Sequence, residues 1–283
     1  MSVEIDEIRA FVLEASRKLL DTDITELAVD EKSGAFNFAT EMDKAMQRLL
    51  IGGLHELLPS AYFLAEEADP ENLTESVPQS SLDRMMDQGS VKKMDPDWLF
   101  VIDPIDGTSN FMLDLKHSCV SVALFHQGQA FYSIVVQPWT HDVYEFREGL
   151  AYYNDKVLDR SAAEGLAGGL IGFGTSPYRS ELDNVFIKKV IEVFQRCIDI
   201  RRSGSAALDI CYVAAGKYQL FFEASLEAWD YAAARMIAEA AHCVVRTLKN
   251  EPIETLEQSS FVVGTAAAIE EFFDPKLVEV RRK

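Results

Sequence analysis

The 283-residue chain lacks most of the patterns that announce the commoner kinds of site. Its four cysteines, Cys119, Cys197, Cys211 and Cys243, show no C-x-x-C spacing, which argues against a disulfide framework or a zinc ribbon and leaves reduced, mostly buried thiols. The five histidines form no H-x-x-x-H pair, so nothing suggests a zinc hydrolase. The N-terminal stretch has no basic region followed by an apolar core, and no run approaches the roughly 20 apolar residues of a membrane span. Cytoplasmic residence is the expectation. Internal repeats and low-complexity linkers are absent as well.

Positive charge is also scarce. Against 46 acids stand 27 lysines and arginines, a net charge of −19, which argues against binding nucleic acid or anionic membranes by bulk electrostatics. A phosphorylated substrate would be repelled by the molecule as a whole. Any phosphate site therefore needs bound cations, oriented amides or a local basic pocket. What the chain does have is 48% apolar residues, ample for a packed core.

The most informative stretch is Trp98-Leu-Phe-Val-Ile-Asp103-Pro-Ile-Asp106-Gly-Thr108-Ser-Asn-Phe111, an apolar strand-like run that meets two carboxylates around a proline. Pro104 removes a backbone donor and favours an extended Asp103, so the ladder is expected to end there and aim Asp103 and Asp106 at a common point. Hard cations are bound by such oxygens. Gly107 permits close approach of the main chain, and the Gly107 and Thr108 amides are suited to a phosphate.

Elsewhere, helical spacing of Ile5, Ile8, Val12, Ala15 and Leu19 predicts an amphipathic helix over 3–20. Thr40 reads as the cap of a second helix that Pro59 stops, and Ala61–Ala65 as a short strand ending in Glu66-Glu67. Residues 68–97 read as an acidic excursion with at most a short helix near 82–86, placed to cover a site. Antiparallel strands are predicted over 118–125, 130–137 and 142–146, with tight turns at Gln127-Gly128 and Asn154-Asp155. The second half mixes elements: a strand near 170–173, a helix near 181–197 turning Leu182, Val185, Phe186, Val190, Val193 and Phe194 inward, and a helix from Ser205 to a left-handed cap at Gly216. A strand over 218–222 and an Ala-rich helix with Asp230 at its start follow. Arg201-Arg202 reads as a surface pair, with local positive charge for a substrate as its alternative, Glu67 as a solvated neighbour of Glu66, and Trp229 as packing.

These residues resemble the inositol monophosphatase family, within the lithium-sensitive, magnesium-dependent sugar-phosphate phosphatases. The resemblance rests on Asp103-Pro-Ile-Asp-Gly-Thr108 with Asn110-Phe111, on Trp229-Asp230, on Glu66-Glu67, on Thr40 with Asp43, and on Gly204-Ser205-Ala206-Ala207. It implies an α/β (α+β layered) fold in which helices alternate with mixed or antiparallel sheets, an αβαβα sandwich. It further implies that Glu66, Asp103 and the Ile105 carbonyl hold one Mg²⁺ and Asp103, Asp106 and Asp230 a second, with a third, weaker ion near Glu66. Gly107 and Thr108 would hold the phosphate, Thr108 with Asp43 would handle the attacking water, and Gly204, Ser205, Ala206, Glu223 and the loop lysine Lys32 would line the substrate pocket. The expectation is a single catalytic unit over 1–283, with a metal-motif half (1–150) and a substrate-specificity half (151–283), acting as a homodimer.

The expected activity is magnesium-dependent hydrolysis of inositol monophosphate or a similar small polyol phosphate. The alternatives are a 3′-phosphoadenosine 5′-phosphate phosphatase, a fructose-1,6-bisphosphatase or, from another class, a non-catalytic metal-binding regulatory protein. Departures from the family pattern motivate the last: Ala234 replaces a usual glycine, Glu239-Ala-Ala-His242 replaces a Glu-Ala-Gly-Gly turn, Ala65 stands for a common glycine, and Asn37 for a frequent acid. None removes an expected metal ligand.

Overall fold

A computed structural model describes residues 4–22, 29–31, 38–67, 79–162, 164–176 and 184–274. The apolar positions at helical spacing form α1 (Ile5–Arg17), which buries Ile8, Val12 and Ala15. A ribbon of β1 (Val29–Glu31) antiparallel to β2 (Phe38–Thr40) runs straight into α2 (Glu41–Leu57). After Pro59 come β3 (Tyr62–Ala65), α3 (Gln79–Leu82), α4 (Gln88–Met94), β4 (Trp98–Asp106) and α5 (Thr108–Met112).

The alternating stretch beyond them supplies β5 (Cys119–His126), β6 (Gln129–Gln137), β7 (Asp142–Arg147), β8 (Leu150–Tyr153) and β9 (Lys156–Val157). With β3 and β4 they make a seven-stranded sheet in sequential order, antiparallel except for the β3–β4 pair. Gln127-Gly128 and Asn154-Asp155 both take positive φ, the conformation that matches a two-residue hairpin loop to the twist of its strands.

The second half provides β10 (Leu170–Phe173), α6 (Asn184–Phe194), β11 (Asp199–Arg201), α7 (Ala206–Ala214), β12 (Tyr218–Leu226), α8 (Ala228–Ala240), β13 (Val244–Arg246), β14 (Ser259–Gly264) and α9 (Ala266–Phe273). Its five-stranded sheet has the order β11-β10-β12-β14-β13, with β10 parallel to both neighbours and the remaining pairs antiparallel.

Three apolar clusters stack these parts into five layers. α1 and α2 pack on one face of the seven-stranded sheet through Ile8, Val12, Leu50 and Leu54 against Phe63, Phe100 and Ile134. α7 and α8 fill the space between the two sheets, and α6 and α9 cover the outer face of the five-stranded one. This is the expected αβαβα sandwich. Small side chains let α8 lie close to the central sheet: Ala233 and Ala234 are buried, and the Ser133 hydroxyl donates to the Ala233 carbonyl at 2.9 Å.

Three local expectations are corrected. Residues 83–86 are not helical: Met85 bridges to Phe63, and the helices among the described residues of the 68–97 region are α3, which ends at Leu82, and α4, capped by the Asp87 carboxylate accepting from the Ser90 amide. β12 continues past Phe222 to Leu226, along the antiparallel β14. In α6, Phe186, Val190 and Val193 face the sheet, but Val185 and Phe194 point outward at 69% and 51% exposure, because one flat sheet face can cover only one stripe of a helix that is apolar nearly all round. After α8, His242, which stands in place of a family glycine, takes the left-handed conformation (φ 65°) that glycine favours.

Candidate active site

The two central acids owe their common direction to one extra residue. Across the β4–β5 ladder Asp103 lies opposite Ser121 and Asp106 opposite Cys119, so three steps on β4 match two on β5. Residues three apart on a regular strand face opposite sides; the bulge at Pro104-Ile105 restores equal parity and turns both carboxylates to one face. The ladder therefore does not end at Asp103 as expected: β4 continues to Asp106, with Pro104 at the point where a missing donor is tolerated. The Ile105 amide donates to Asp103 Oδ1 at 3.0 Å and fixes the bulge.

Asp106 is gripped from the second half of the chain. The Ser205 hydroxyl, the Ala206 amide (3.2 Å), the Ala207 amide (2.9 Å) and the Cys119 thiol (3.6 Å) all donate to it. Ser205 and Ala206, expected at the substrate, thus point to this carboxylate at the start of α7. The approach is tight: Gly107 (φ 89°) and Gly204 (φ 88°) are both left-handed, and a Cβ on Gly107 would lie 3.1 Å from the Gly204 carbonyl. Asn110 ties the two segments with its amide donating to the carbonyls of His117 and Ser203.

Asp230, third residue of α8, accepts the Glu227 amide at 2.7 Å, so it closes the helix start while presenting its other oxygen. On the opposite side Thr108 donates its hydroxyl to Asp43 Oδ1 (3.1 Å) or the Ile105 carbonyl (3.2 Å), and carboxylate oxygens of Asp43, Glu66 and Glu67 lie within 4.8 Å of one another. Glu67 is more than a solvated neighbour, since its amide donates to the Gln47 side chain and pins the end of β3 to α2.

One pocket of about 410 Å³ is lined by Glu66, Asp103, Ile105, Asp106, Gly107, Thr108, Gly204, Ser205, Ala206, Glu223 and Asp230. Asp43 stands behind Thr108, and Lys32 lies outside the described residues. Sequence reasoning missed Ser176 and Asp209 and read Trp229 as packing; all three line the pocket, and Arg202 lines it too while staying exposed as the surface reading has it. An acid inside the otherwise apolar Leu208–Ala214 run was the available signal for Asp209.

Burial dominates the electrostatics. It raises Asp103 well above the usual carboxylate range, reinforced by Glu66, Asp106, Asp230 and Asp43, and raises Asp230 likewise, reinforced by Asp106 and Glu66. Asp106 is also raised by burial, against the pull of its four donors. Among the described residues no lysine or arginine forms an ion pair with these three aspartates. A buried, oxygen-only set of mutually repelling carboxylates fits a hard divalent cation such as Mg²⁺ better than a soft one. Glu223, also on the pocket wall, is pushed up to about 7 by burial; it accepts the Ser176 amide (2.8 Å) and hydroxyl, and it lies where a Cβ on Gly174 would sit.

The model of the inositol monophosphatase family matches residues 4–282. "Nus factor SuhB" of Escherichia coli K12 is 31% identical over 215 residues, 76% of this chain and 73% of that protein. "Inositol-1-monophosphatase" of Rhizobium meliloti is 31% identical over 209 residues, 74% of this chain and 71% of its own. The fold matches extragenic suppressor protein SuhB of Bartonella henselae with a TM-score of 0.78 at 24% identity, over 94% of this chain and 95% of that one. It also matches an IMPase/NADP phosphatase complexed with Mg²⁺ and phosphate, with a TM-score of 0.78 at 23% identity over 97% and 95%. The chain belongs to the inositol monophosphatase family.

Proposed function

We propose that the protein is a magnesium-dependent phosphate monoester hydrolase acting on inositol monophosphate or a similar small polyol phosphate. The observation that carries this reading is the convergence of Glu66, Asp103, Asp106 and Asp230 on one pocket with neither lysine nor arginine to neutralise the three aspartates among the described residues. Glu66, Asp103 and the Ile105 carbonyl would hold one Mg²⁺, and Asp103, Asp106 and Asp230 a second, with a third near Glu66. Bound there, the ions supply charge neutralisation at the phosphoryl group and a water of lowered pKa.

The chain's own groups do the rest. Gly107 and Thr108 offer main-chain amides to the phosphate oxygens, in a backbone that Gly107 alone can bend through φ 89°. The Thr108 hydroxyl, already directed at Asp43, accepts the proton of the attacking water and passes its own to Asp43 Oδ1 over 3.1 Å. The four donors on Asp106 leave its carboxylate no freedom to rotate, so the reacting groups keep their geometry. Glu223, held by Ser176, accepts from substrate hydroxyls at the pocket wall, and Lys32 joins from the preceding loop. We read residues 1–283 as one catalytic unit, because both the 1–150 and 151–283 halves line the pocket, and as a homodimer by family.

The test is release of inorganic phosphate from inositol 1-phosphate and a panel of sugar and nucleotide phosphates, with and without Mg²⁺, alongside Asp103→Asn. Activity that needs Mg²⁺ and disappears in the variant supports the reading; release from the nucleotide but not the inositol ester would transfer it to the nucleotide phosphatase alternative. A second reading, a binding factor that does not turn over, is favoured by relatives that carry the name Nus factor SuhB. Undetectable activity across the whole panel would select it.

A further inference from the structure

A closed triangle of hydrogen bonds stands at the start of α8. Glu227, the residue before α8, and Gln258, the residue before β14, both line the pocket, as do Trp229 and Asp230. Leu226 pairs with Ser259 across β12 and β14, which sets Glu227 and Gln258 side by side, and the Gln258 side-chain amide donates to Glu227 Oε1. Gln88, the first residue of α4, joins them from 139 positions away in the sequence. Its Nε2 donates to Glu227 Oε2 at 2.7 Å, and its Oε1 accepts the Gln258 backbone amide at 3.0 Å. Each oxygen of the Glu227 carboxylate is thus held by a different glutamine.

The bond next to this triangle gives it a bearing on the site. The Glu227 backbone amide donates to Asp230 Oδ2 at 2.7 Å, so the direction of the Asp230 carboxylate follows the backbone at Glu227. Packing seats only one side of the first turn of α8, through the fully buried Ala228 and Tyr231. Glu227, Trp229 and Asp230 lie on the half-buried side, where hydrogen bonds must do the holding. Asp106 and Glu66 meanwhile press on Asp230 with like charge.

Groups that hold the ligands of an ion, without touching the ion, typically change its affinity by about tenfold or more. We infer that Gln88 is a positioning residue: through Glu227 it fixes the start of α8 and, with it, the place of Asp230 in the pocket. The first half of the chain thereby steadies an acid that the second half delivers, and α4 braces the wall that presents it. This rests on the reading of Asp230 as a cation ligand and adds a group on which that ligand depends.

The test turns one bond of the triangle round. Gln88→Glu sets two carboxylates against each other at hydrogen-bond distance and opens the triangle. Gln88→Glu combined with Glu227→Gln exchanges donor and acceptor, keeps all three bonds and restores the net charge. Calorimetric titration with Mg²⁺ in the absence of substrate, and amide hydrogen exchange over the first turns of α8 in a chelator, are measured on the wild type and both variants. Gln88→Glu should bind Mg²⁺ about tenfold more weakly and exchange about tenfold faster, although its added negative charge would by itself attract the cation. The combined variant should return both quantities to within about threefold of the wild type. Unchanged or tighter Mg²⁺ binding in Gln88→Glu, or a combined variant as impaired as Gln88→Glu alone, overturns the inference. Should the wild type bind no Mg²⁺, the metal reading fails by itself and the exchange measurement decides. Faster exchange in Gln88→Glu, reversed in the combined variant, then sustains the hold on α8, and unchanged exchange removes it.

Discussion

The Ser205 hydroxyl donates to the Asp106 carboxylate, and the Ala207 amide joins it at 2.9 Å, so the first turn of α7 is fastened to the end of β4. Replacing Ser205 with alanine leaves a buried carboxylate one donor short. The expected cost is about 1–3 kcal/mol, read as a lower urea midpoint with an unchanged slope. An unaltered midpoint would mean that the two amides hold Asp106 unaided.

Asp103 is buried with like charges around it, which raises its pKa well above the usual carboxylate range. Its ionisation therefore opposes folding at neutral pH when no cation is present. Asp103→Asn should raise the thermal midpoint in a chelator at pH 8 and abolish the further rise that Mg²⁺ gives the wild type. Loss of stability in the chelator, or a Mg²⁺ shift equal to the wild type's, would contradict this electrostatic account.

Glu223 gives a pH dependence with a definite sign. Its folded pKa of about 7 is above its unfolded value, so between about pH 4.5 and 7 the unfolded chain has released a proton that the folded one retains. Stability from this group is present below that window and is lost as pH rises through it, by up to about 3 kcal/mol. Glu223→Gln should flatten that part of the decline in denaturant titrations at pH 5 and 7.5. A decline as steep as the wild type's would assign the effect to the other acids.

His242 occupies φ 65°, a conformation that costs an L-residue about 1–2 kcal/mol. Its ring lies 3.2 Å from Asp159, an exposed pair of little consequence for stability. His242→Gly should therefore stabilise the protein by about 0.5–1 kcal/mol after the entropy of glycine is set against the relieved strain. A lower melting temperature would show that the surface pair matters more than the backbone.

What could be read in the sequence was local. The alternation of β5 to β7, the hairpin dipeptides and the helical stripe of α1 specify their structure through neighbours a few positions apart. The Asp103–Thr108 motif was legible for the same reason, although the bulge that aligns its acids was not, since Pro104 suits a strand end equally well. Ser176 and Asp209 were not legible because they come from separate elements, the end of β10 and the first turn of α7, that only the packing of the second half brings to one wall. The outward Val185 and Phe194 of α6 were misjudged for a related reason: helical periodicity cannot tell which of two apolar stripes will meet the sheet.

The pocket lies on the seam between the two halves, with Asp103 and Asp106 delivered by the seven-stranded sheet and Asp230, Glu223 and Ser205 by elements of the five-stranded side. Neither half holds a complete set of acids. Asp43, Glu66, Asp103 and Asp106 already repel one another within the first half of the chain, and Asp230 adds its charge only when the start of α8 packs against them. Divalent cation present at that moment offsets a repulsion that would otherwise slow closure, so refolding should be followed by two clocks, an early one for sheet structure and a later, cation-dependent one for the site.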